Sequence, residues 1–219
     1  MSSWMSWGDG GVFALGHTGD GLEQAVEQLV ADKVASGIAG RDATLWGRAA
    51  ESESAERLAW VGLSDESRHL VSETAELRGR HLGAGLDHVV LCGMGGSSLA
   101  PEVICAANGV ELTVLDSSDP DFVRSALTDR LERTVVVVSS KSGGTVETDS
   151  QRRAYEHAFT EAGIDPRQRI VVVTDPGSPL SSSASEAGYE VFLADPEVGG
   201  RYSALTAFGL VPCGLAGVD

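Results

Sequence analysis

The sequence feature that most constrains the fold is a series of five short apolar runs, each followed by a stretch with helical character. The runs are rich in β-branched residues and lie at residues 88–94, 111–117, 134–140, 169–176 and 189–195. Strands that alternate with helices are typical of βαβ units, which build a parallel sheet covered by helices on both faces. The pattern therefore predicts a doubly wound α/β sheet over residues 87–195, with a helical N-terminal extension over residues 1–86.

The extension gives weaker local signals than the repeating strands. Scattered glycines suggest irregular structure over residues 1–19. Residues 20–36 carry apolar side chains at helical spacing, with Asp20 as a candidate N-cap. A longer helix is expected from about residue 65 to residue 82, with Ser64 as its N-cap.

Charge and cysteine content narrow the classes of partner and compartment. The 219 residues carry a net charge of −16, which repels the phosphates of nucleic acid, so nucleic acid is not an expected partner. The apolar runs stay well short of the roughly 20 residues that a membrane-spanning helix needs, so no membrane partner is expected. Cys92, Cys105 and Cys213 form no CxxC pair, which favours buried reduced thiols in a cytoplasmic protein and no bound metal.

Two loops of the predicted sheet carry unusual chemistry. The segment GMGGSS at residues 93–98 follows the first strand, and SSKSGG at residues 139–144 follows the third. The carboxyl ends of parallel strands share one edge of a sheet, and each loop leads into a helix N-terminus, which favours an anion. One of Ser97 and Ser98 is expected to cap the first of these helices. The loops otherwise offer many donors and almost no acceptor, which suits the terminal oxygens of a phosphate monoester.

Three other interpretations of these loops compete with a phosphate site. A dinucleotide-binding turn would need a third glycine where Ser98 stands, although Asp116 lies where a ribose-binding acid would. A P-loop places its lysine after the glycines, whereas Lys141 precedes Gly143 and Gly144, which nearly excludes that motif. Serine and glycine also serve simply as caps and turns, but two donor-rich loops at one sheet edge make a purely structural role less favoured.

Three segments resemble the glucose-6-phosphate isomerase (phosphoglucose isomerase) family in their order and spacing. They are GMGGSSLAPEV, SSKSGGTVET and GGRYSALTAFGL, and the resemblance covers about residues 85–210. It implies the flavodoxin-like fold of a sugar isomerase (SIS) domain over residues 87–219. It also implies the interconversion of glucose 6-phosphate and fructose 6-phosphate, no cofactor, and a homodimer. A non-catalytic phosphosugar-binding SIS module is the alternative function, and the GGRYS segment favours the isomerase.

The resemblance also implies roles for individual residues. Gly96 and Ser97 would lie beside the sugar phosphate, and the phosphate oxygens would be held by Ser140, Lys141, Ser142 and Thr145. The family often has threonine where Ser142 stands and bulkier residues where Gly143 and Gly144 stand, which puts the fine geometry in question. Gly95 would support the first loop, and Glu147 would orient the second or simply be a favourable first-turn acid.

Arg201 would lie near the reacting carbons. Moving a proton between C1 and C2 passes through an enediolate, and a guanidinium stabilises the developing oxyanion. The alternative is an arginine that forms a salt bridge at the start of a helix.

One departure from the family is large. Its members carry a second SIS domain after this point, which supplies a general-base glutamate, a ring-opening histidine and a late lysine. We find no counterpart of these groups, and the five histidines are expected to be surface or packing residues. The chain thus resembles a truncated N-terminal half, since it stops near the end of an apolar helix that starts at about residue 203. We therefore expect the chain alone to bind sugar phosphate weakly and to turn over little or nothing.

Overall fold

The structure, a computed structural model, describes residues 21–219 and the backbone of residues 2–7 and 12–17. Its contacts divide the chain into two compact units, residues 1–55 and residues 56–219. Each unit is described by itself below. The domain boundary that we placed between residues 86 and 87 stays a prediction.

The first unit begins with an antiparallel pair of strands, β1 (Ser2–Trp7) and β2 (Val12–His17). In their register Ser2 lies opposite His17. Our expectation of irregular structure over residues 1–19 was therefore wrong for these segments. Both segments contain aromatic or β-branched residues with high β propensity, a signal that the scattered glycines obscured.

Short helices follow in this part of the chain: α1 (Leu22–Ala31), α2 (Val34–Ala39) and α3 (Glu51–Arg57). The helix expected over residues 20–36 breaks at Lys33, which adopts a left-handed φ of 54°. The candidate N-cap Asp20 lies outside the described residues. The apolar side chains of α1 are not buried within the structure, and Val30 is 72% exposed.

Two helices precede the sheet in the second unit, α4 (Leu63–Glu66) and α5 (His69–Gly83). The long helix expected over residues 65–82 is thus largely confirmed, but Ser64 lies inside α4 and does not cap it. Helix α4 already begins at Leu63, one residue before Ser64, and the Leu63 side chain is buried with Ala59 and Val198.

The predicted five-stranded parallel sheet is confirmed. Its strands are β3 (His88–Gly93), β4 (Thr113–Leu115), β5 (Thr134–Ser139), β6 (Ile170–Thr174) and β7 (Glu190–Leu193). Their spatial order is β4-β3-β5-β6-β7, and every neighbouring pair is parallel. This is the flavodoxin-like order, in which the chain changes direction across the sheet between β3 and β5.

Each strand is followed by a helix. These helices are α6 (Leu99–Ala107), α7 (Pro120–Thr128), α8 (Val146–Glu161), α9 (Pro179–Ala187) and α10 (Ala207–Ala216). Side chains of α5 and α10 pack on one face of the sheet, where Leu70 and Phe208 join Val137 in the core. Side chains of α7, α8 and α9 pack on the other face, where Tyr155 is fully buried. Strands β3, β5 and β6 are buried at every position, which explains their continuous apolar runs.

Among the residues that the structure describes, no helix is long and apolar enough to cross a lipid bilayer.

Candidate functional site at the carboxyl edge of the sheet

The helices that follow the five strands all begin at the carboxyl edge of the sheet, but their first turns differ. In three of them a side-chain oxygen accepts a first-turn N–H, the capping residues being Asp119 of α7, Ser178 of α9 and Thr206 of α10. Ser98 and Thr145 occupy the same position before α6 and α8, and neither side chain makes a capping hydrogen bond. The cap expected from Ser97 or Ser98 is therefore not formed, because the Ser98 Oγ donates to the Gly95 carbonyl at 3.2 Å instead.

The two uncapped helices follow neighbouring strands of the sheet. They follow β3 and β5, which are paired up to Gly93 and Ser139 at their carboxyl ends. This is the position where the strand order reverses, and ligands of open α/β sheets bind outside the strand ends at that point. Uncapped first-turn N–H groups and the helix dipole favour an anion there.

A cleft of about 610 Å³ opens at this position. Its walls are formed by Met94, Gly96, Ser97, Lys141, Ser142, Thr145, Asp175, Gly200, Arg201, Ser203 and Phe208. Six of the nine residues that we singled out from the sequence thus line one cleft: Gly96, Ser97, Lys141, Ser142, Thr145 and Arg201. Three separate stretches of the chain supply them, as the three family-like segments suggested.

The other three predicted site residues lie beside the cleft. Ser140 is 4% exposed, its Oγ lies 3.3 Å from the Thr145 Oγ1, and its carbonyl accepts from the Thr174 Oγ1 at 2.7 Å. Ser140 therefore stabilises the loop through these hydrogen bonds and does not itself line the cleft. Gly95 adopts a φ of +58°, which supports the turn into α6. Glu147 is exposed in the first turn of α8 and does not line the cleft.

Close backbone contact joins the first loop to the GGRYS segment. A Cβ on Gly96 would lie 2.5 Å from the Gly200 carbonyl oxygen, so only glycine fits there. The Ser203 Oγ donates to the Gly200 carbonyl at 2.7 Å and reaches the Gly96 carbonyl at 3.3 Å. The ring of Tyr202 stacks on Trp60 with centroids 5.6 Å apart, which fixes the segment that carries Arg201.

Charged side chains in the cleft are two cations and one carboxylate. The Lys141 Nζ lies 2.7 Å from the Asp175 Oδ2, and it also reaches the carbonyl of Pro196 at 3.4 Å. Asp175 was not singled out from the sequence. Its position immediately after β6, at the same edge as the other loops, was the signal that could have found it. The Asp175 Oδ1 is buried and has no hydrogen-bond partner within the described part of the chain.

The Arg201 guanidinium makes no ion pair with any carboxylate of the residues that the structure describes, and Arg201 is exposed toward the cleft. It therefore differs from the salt-bridged arginine that was our alternative.

The histidines at positions 69, 81, 88 and 157 do not line the cleft. His88 is packed at the start of β3, where its Nδ1 lies 2.8 Å from the Thr134 Oγ1 and burial lowers its pKa.

The second loop is shaped by its glycines and serine. Gly143 has a φ of +68°, and a Cβ there would lie 2.8 Å from the backbone nitrogen of Leu180. Gly144 has room for a side chain, since the nearest atom to its Cβ would be the Ser142 Oγ at 3.8 Å. The Ser142 Oγ accepts the Gly144 N–H at 3.2 Å, which turns the loop toward α8.

The described residues contain no group of His, Cys, Asp and Glu side chains that could hold a metal ion.

Comparison with known proteins bears on the same segments. The sequence model of the family described as phosphoglucose isomerase matches residues 65–217, which is more than half of the chain. The chain belongs to the phosphoglucose isomerase family. The match begins before the sheet and includes all three segments that line the cleft.

Named relatives and solved structures agree with this membership. Glucose-6-phosphate isomerase of Acaryochloris marina is 40% identical over 139 residues, which cover 59% of this chain and 26% of the relative. Glucose-6-phosphate isomerase of Thermus thermophilus is 34% identical over 177 residues, which cover 78% and 42% respectively. The crystal structure of a glucose-6-phosphate isomerase from Chlamydia trachomatis superimposes with a TM-score of 0.61 at 28% identity, covering 81% of this chain and 34% of that chain.

A hypothetical protein from Thermus thermophilus, known from its crystal structure, superimposes with a TM-score of 0.75 at 29% identity, covering 91% of this chain and 47% of its own. The sugar isomerase fold predicted from the resemblance is thus confirmed. The chain spans between about a quarter and two fifths of the length of the glucose-6-phosphate isomerase relatives that it matches.

Proposed function

We propose that this chain contributes the sugar-phosphate side of a glucose-6-phosphate isomerase, which interconverts glucose 6-phosphate and fructose 6-phosphate. One observation carries the proposal. The loops that lead into the two uncapped helices bring Ser97, Lys141 and Thr145 to a single cleft at the reversal point of the strand order. Arg201, which has no ion pair among the described residues, lines the same cleft.

The phosphate group would lie at the N-terminus of α8. Its oxygens would accept hydrogen bonds from the first-turn N–H groups and from the hydroxyls of Ser142 and Thr145. The Lys141 ammonium adds a charge-assisted hydrogen bond, and the Ser97 hydroxyl closes the site from the first loop. Asp175 holds the ammonium at 2.7 Å, so it would position Lys141 before the ligand arrives.

Arg201 would act on the other end of the sugar. Proton transfer between C1 and C2 needs a base, and the negative charge of the enediolate falls on the sugar oxygens. No carboxylate among the described residues pairs with Arg201, so its guanidinium would be available to stabilise that charge and lower the barrier.

The chain spans only part of the length of its relatives, so we propose that the 219-residue polypeptide alone binds sugar phosphate weakly and turns over little. Removal of a general acid or base alone costs roughly 100- to 10,000-fold in rate. Homodimer formation and a reaction without cofactor stay predictions from the resemblance.

The binding proposal is tested by titration of the chain with fructose 6-phosphate, followed by amide chemical shifts. We expect the largest shifts in residues 95–98 and 140–147. Lys141→Gln should weaken binding by roughly 10- to 100-fold, since hydrogen bonds to charged groups contribute about 1.5–3 kcal/mol. Arg153→Gln removes an exposed arginine outside the cleft and should leave the affinity unchanged. Shifts confined to other regions, or no binding at high ligand excess, would refute the proposal.

An isomerase assay with the same protein tests the prediction of little turnover. Turnover near that of intact family enzymes would contradict it.

A second experiment distinguishes the isomerase from a non-catalytic phosphosugar-binding module. It measures the affinity of the chain for a phosphorylated hydroxamate that mimics the enediolate. An isomerase site should bind this mimic more tightly than fructose 6-phosphate, and Arg201→Gln should remove the advantage. A simple binding module would show no preference for the mimic.

A further inference from the structure

Two buried cysteines face each other across the contact between α6 and α10. Cys105 is 1% exposed and Cys213 is 3% exposed. Their Sγ atoms are 3.9 Å apart, and the Cys213 Sγ lies 3.8 Å from the carbonyl oxygen of Pro101 in α6. Nothing in the proposed isomerase chemistry uses either thiol.

The separation of the two sulfur atoms is close to what a disulfide needs. A disulfide bond is about 2.0 Å long, so the sulfur atoms would have to approach by roughly 2 Å. Rotation about the Cα–Cβ bond of each side chain moves its sulfur atom, and such rotations together with small shifts of the two helices would bring the sulfur atoms into bonding distance. Cys92 is fully buried within β3 and has no sulfur contact with another cysteine in the described part of the chain.

We propose that Cys105 and Cys213 form an oxidative modification site, which reacts with a hydroperoxide to give an intramolecular disulfide. One thiolate attacks a peroxide oxygen and breaks the O–O bond, which yields a sulfenic acid and releases hydroxide or alkoxide. The second sulfur then attacks the sulfenic sulfur, the S–S bond forms, and its hydroxyl leaves as water. Overall two thiols are oxidised and one peroxide bond is reduced.

Two features of the pair support this reactivity. Cys213 lines a cavity of about 370 Å³ between α5, α6 and α10, which gives a small peroxide a place next to one member of the pair. The hydrogen bond between the thiols lowers the pKa of Cys105, which makes its thiolate easier to form, and it raises the pKa of Cys213. Burial raises the pKa of Cys92, so that thiol is the least reactive of the three.

The disulfide would connect the two helices whose preceding loops meet in the cleft. Helix α6 follows the GMGGSS loop, and α10 follows the GGRYS segment. These loops are already in contact, because the Gly96 backbone packs against the Gly200 carbonyl. A bond between Cys105 and Cys213 would hold both loops at this spacing.

The experiment exposes the reduced 219-residue chain to a small molar excess of hydrogen peroxide. Intact mass should show the loss of two hydrogen atoms, and peptide mapping without reduction should find Cys105 joined to Cys213 with Cys92 free. The oxidised protein should melt about 5–10 °C higher than the reduced protein, since the link closes a loop of about 100 residues. Hydrogen exchange should slow in residues 95–99 and 200–206, and a thiol reductant should reverse every change.

Each variant is compared with itself before and after oxidation. Cys92→Ala should behave like the unaltered chain, whereas Cys105→Ser and Cys213→Ser should lose both the change in mass and the change in melting temperature. Differential alkylation of the unaltered chain gives the same answer without a variant. Free thiols after peroxide, sulfinic acids, links between chains or a bond that includes Cys92 would each overturn the proposal.

Discussion

The helix starts at the carboxyl edge of the sheet fall into two groups that differ in one hydrogen bond. Helices α7, α9 and α10 have a side chain that accepts a first-turn N–H, whereas α6 and α8 do not. A cap contributes about 0.5–2 kcal/mol, so each uncapped end forgoes stability that its neighbours have. The loops that lead into the two uncapped ends both line the cleft, and the capped helix α10 adds only the ring of Phe208. We propose that the donors at these two positions are kept available for a ligand.

Residue type alone does not separate the groups. Serine and threonine are good capping residues, and they stand before α6 and α8 as well as before α9 and α10. Ser98 has φ and ψ of −126° and −36°, which is not the extended conformation of a cap. Thr145 has an extended backbone, but its hydroxyl lies near the Ser140 Oγ. The local backbone and the neighbouring hydroxyl therefore decide whether a cap forms.

The largest effect is expected when the uncapped end of α8 is closed. Thr145→Asp places a carboxylate where it can accept the first-turn N–H groups and repel the phosphate. Affinity for fructose 6-phosphate should fall by at least about 100-fold, because donors are lost and a like charge is added. Thermal stability should stay equal or rise slightly, since aspartate caps better than threonine. Calorimetric titration and thermal unfolding measure the two quantities.

The control for this variant is Ser150→Asp, which adds the same charge on the exposed side of α8 beyond its first turn. It should change the affinity by only a few-fold, through long-range repulsion that salt screens. If Thr145→Asp folds and binds fructose 6-phosphate as well as the unaltered chain, α8 does not hold the phosphate.

The next largest effect is expected at the uncapped end of α6. Gly96→Ala puts a Cβ 2.5 Å from the Gly200 carbonyl oxygen, so the two loops must move apart. Overpacking of this kind costs about 1–3 kcal/mol, which corresponds to a fall in melting temperature of roughly 2–12 °C for a unit of this size. Affinity should fall by about tenfold, since the displaced loop carries Ser97 and the N-terminus of α6.

Gly144→Ala is the matched control, because a Cβ at that position meets only an ordinary contact at 3.8 Å. Its melting temperature should stay within about 2 °C of that of the unaltered chain. Equal stability of the two alanine variants would show that the loops can separate without cost, and the contact between Gly96 and Gly200 would then not fix the cleft.

Much of the sheet could be predicted because its strands are buried on both faces. The four valines at 135–138 are β-branched and form a run too short for a buried helix, and they lie in the fully buried β5. Strand β4 was predicted too long, over residues 111–117. It lies at the edge of the sheet and pairs with β3 alone, so only residues 113–115 form the ladder. The pairing of β1 with β2 depends on contacts between two segments, which a local pattern does not contain.

The candidate site was predictable where a loop follows a buried strand. Lys141, Ser142 and Thr145 stand out by residue type directly after β5, and the structure brings them to the cleft. Asp175 is one acid among many in a chain of net charge −16, so residue type gave no reason to choose it. Its pairing with Lys141 results from the neighbouring positions of β5 and β6. The absence of caps on α6 and α8 could not be predicted, since both positions hold residues that normally cap.

The smallest effect is expected at a capped end. The Asp119 carboxylate accepts the N–H groups of Asp121 and Phe122 at 3.0 Å, so Asp119→Ala should destabilise the second unit by about 1 kcal/mol. The melting temperature should fall by roughly 2–4 °C. Affinity for fructose 6-phosphate should not change, because α7 follows β4 at the edge of the sheet and does not line the cleft.

Asp121→Ala is the control, since it removes the same charge two residues later and leaves the cap in place. Asp121 is exposed and pairs with Arg124 at 2.7 Å, an ion pair that contributes at most a few tenths of a kcal/mol. If Asp119→Ala weakened sugar-phosphate binding while Asp121→Ala did not, the first turn of α7 would be coupled to the ligand. The division into structural and ligand-binding helix starts would then be wrong, because a capped end would serve both purposes.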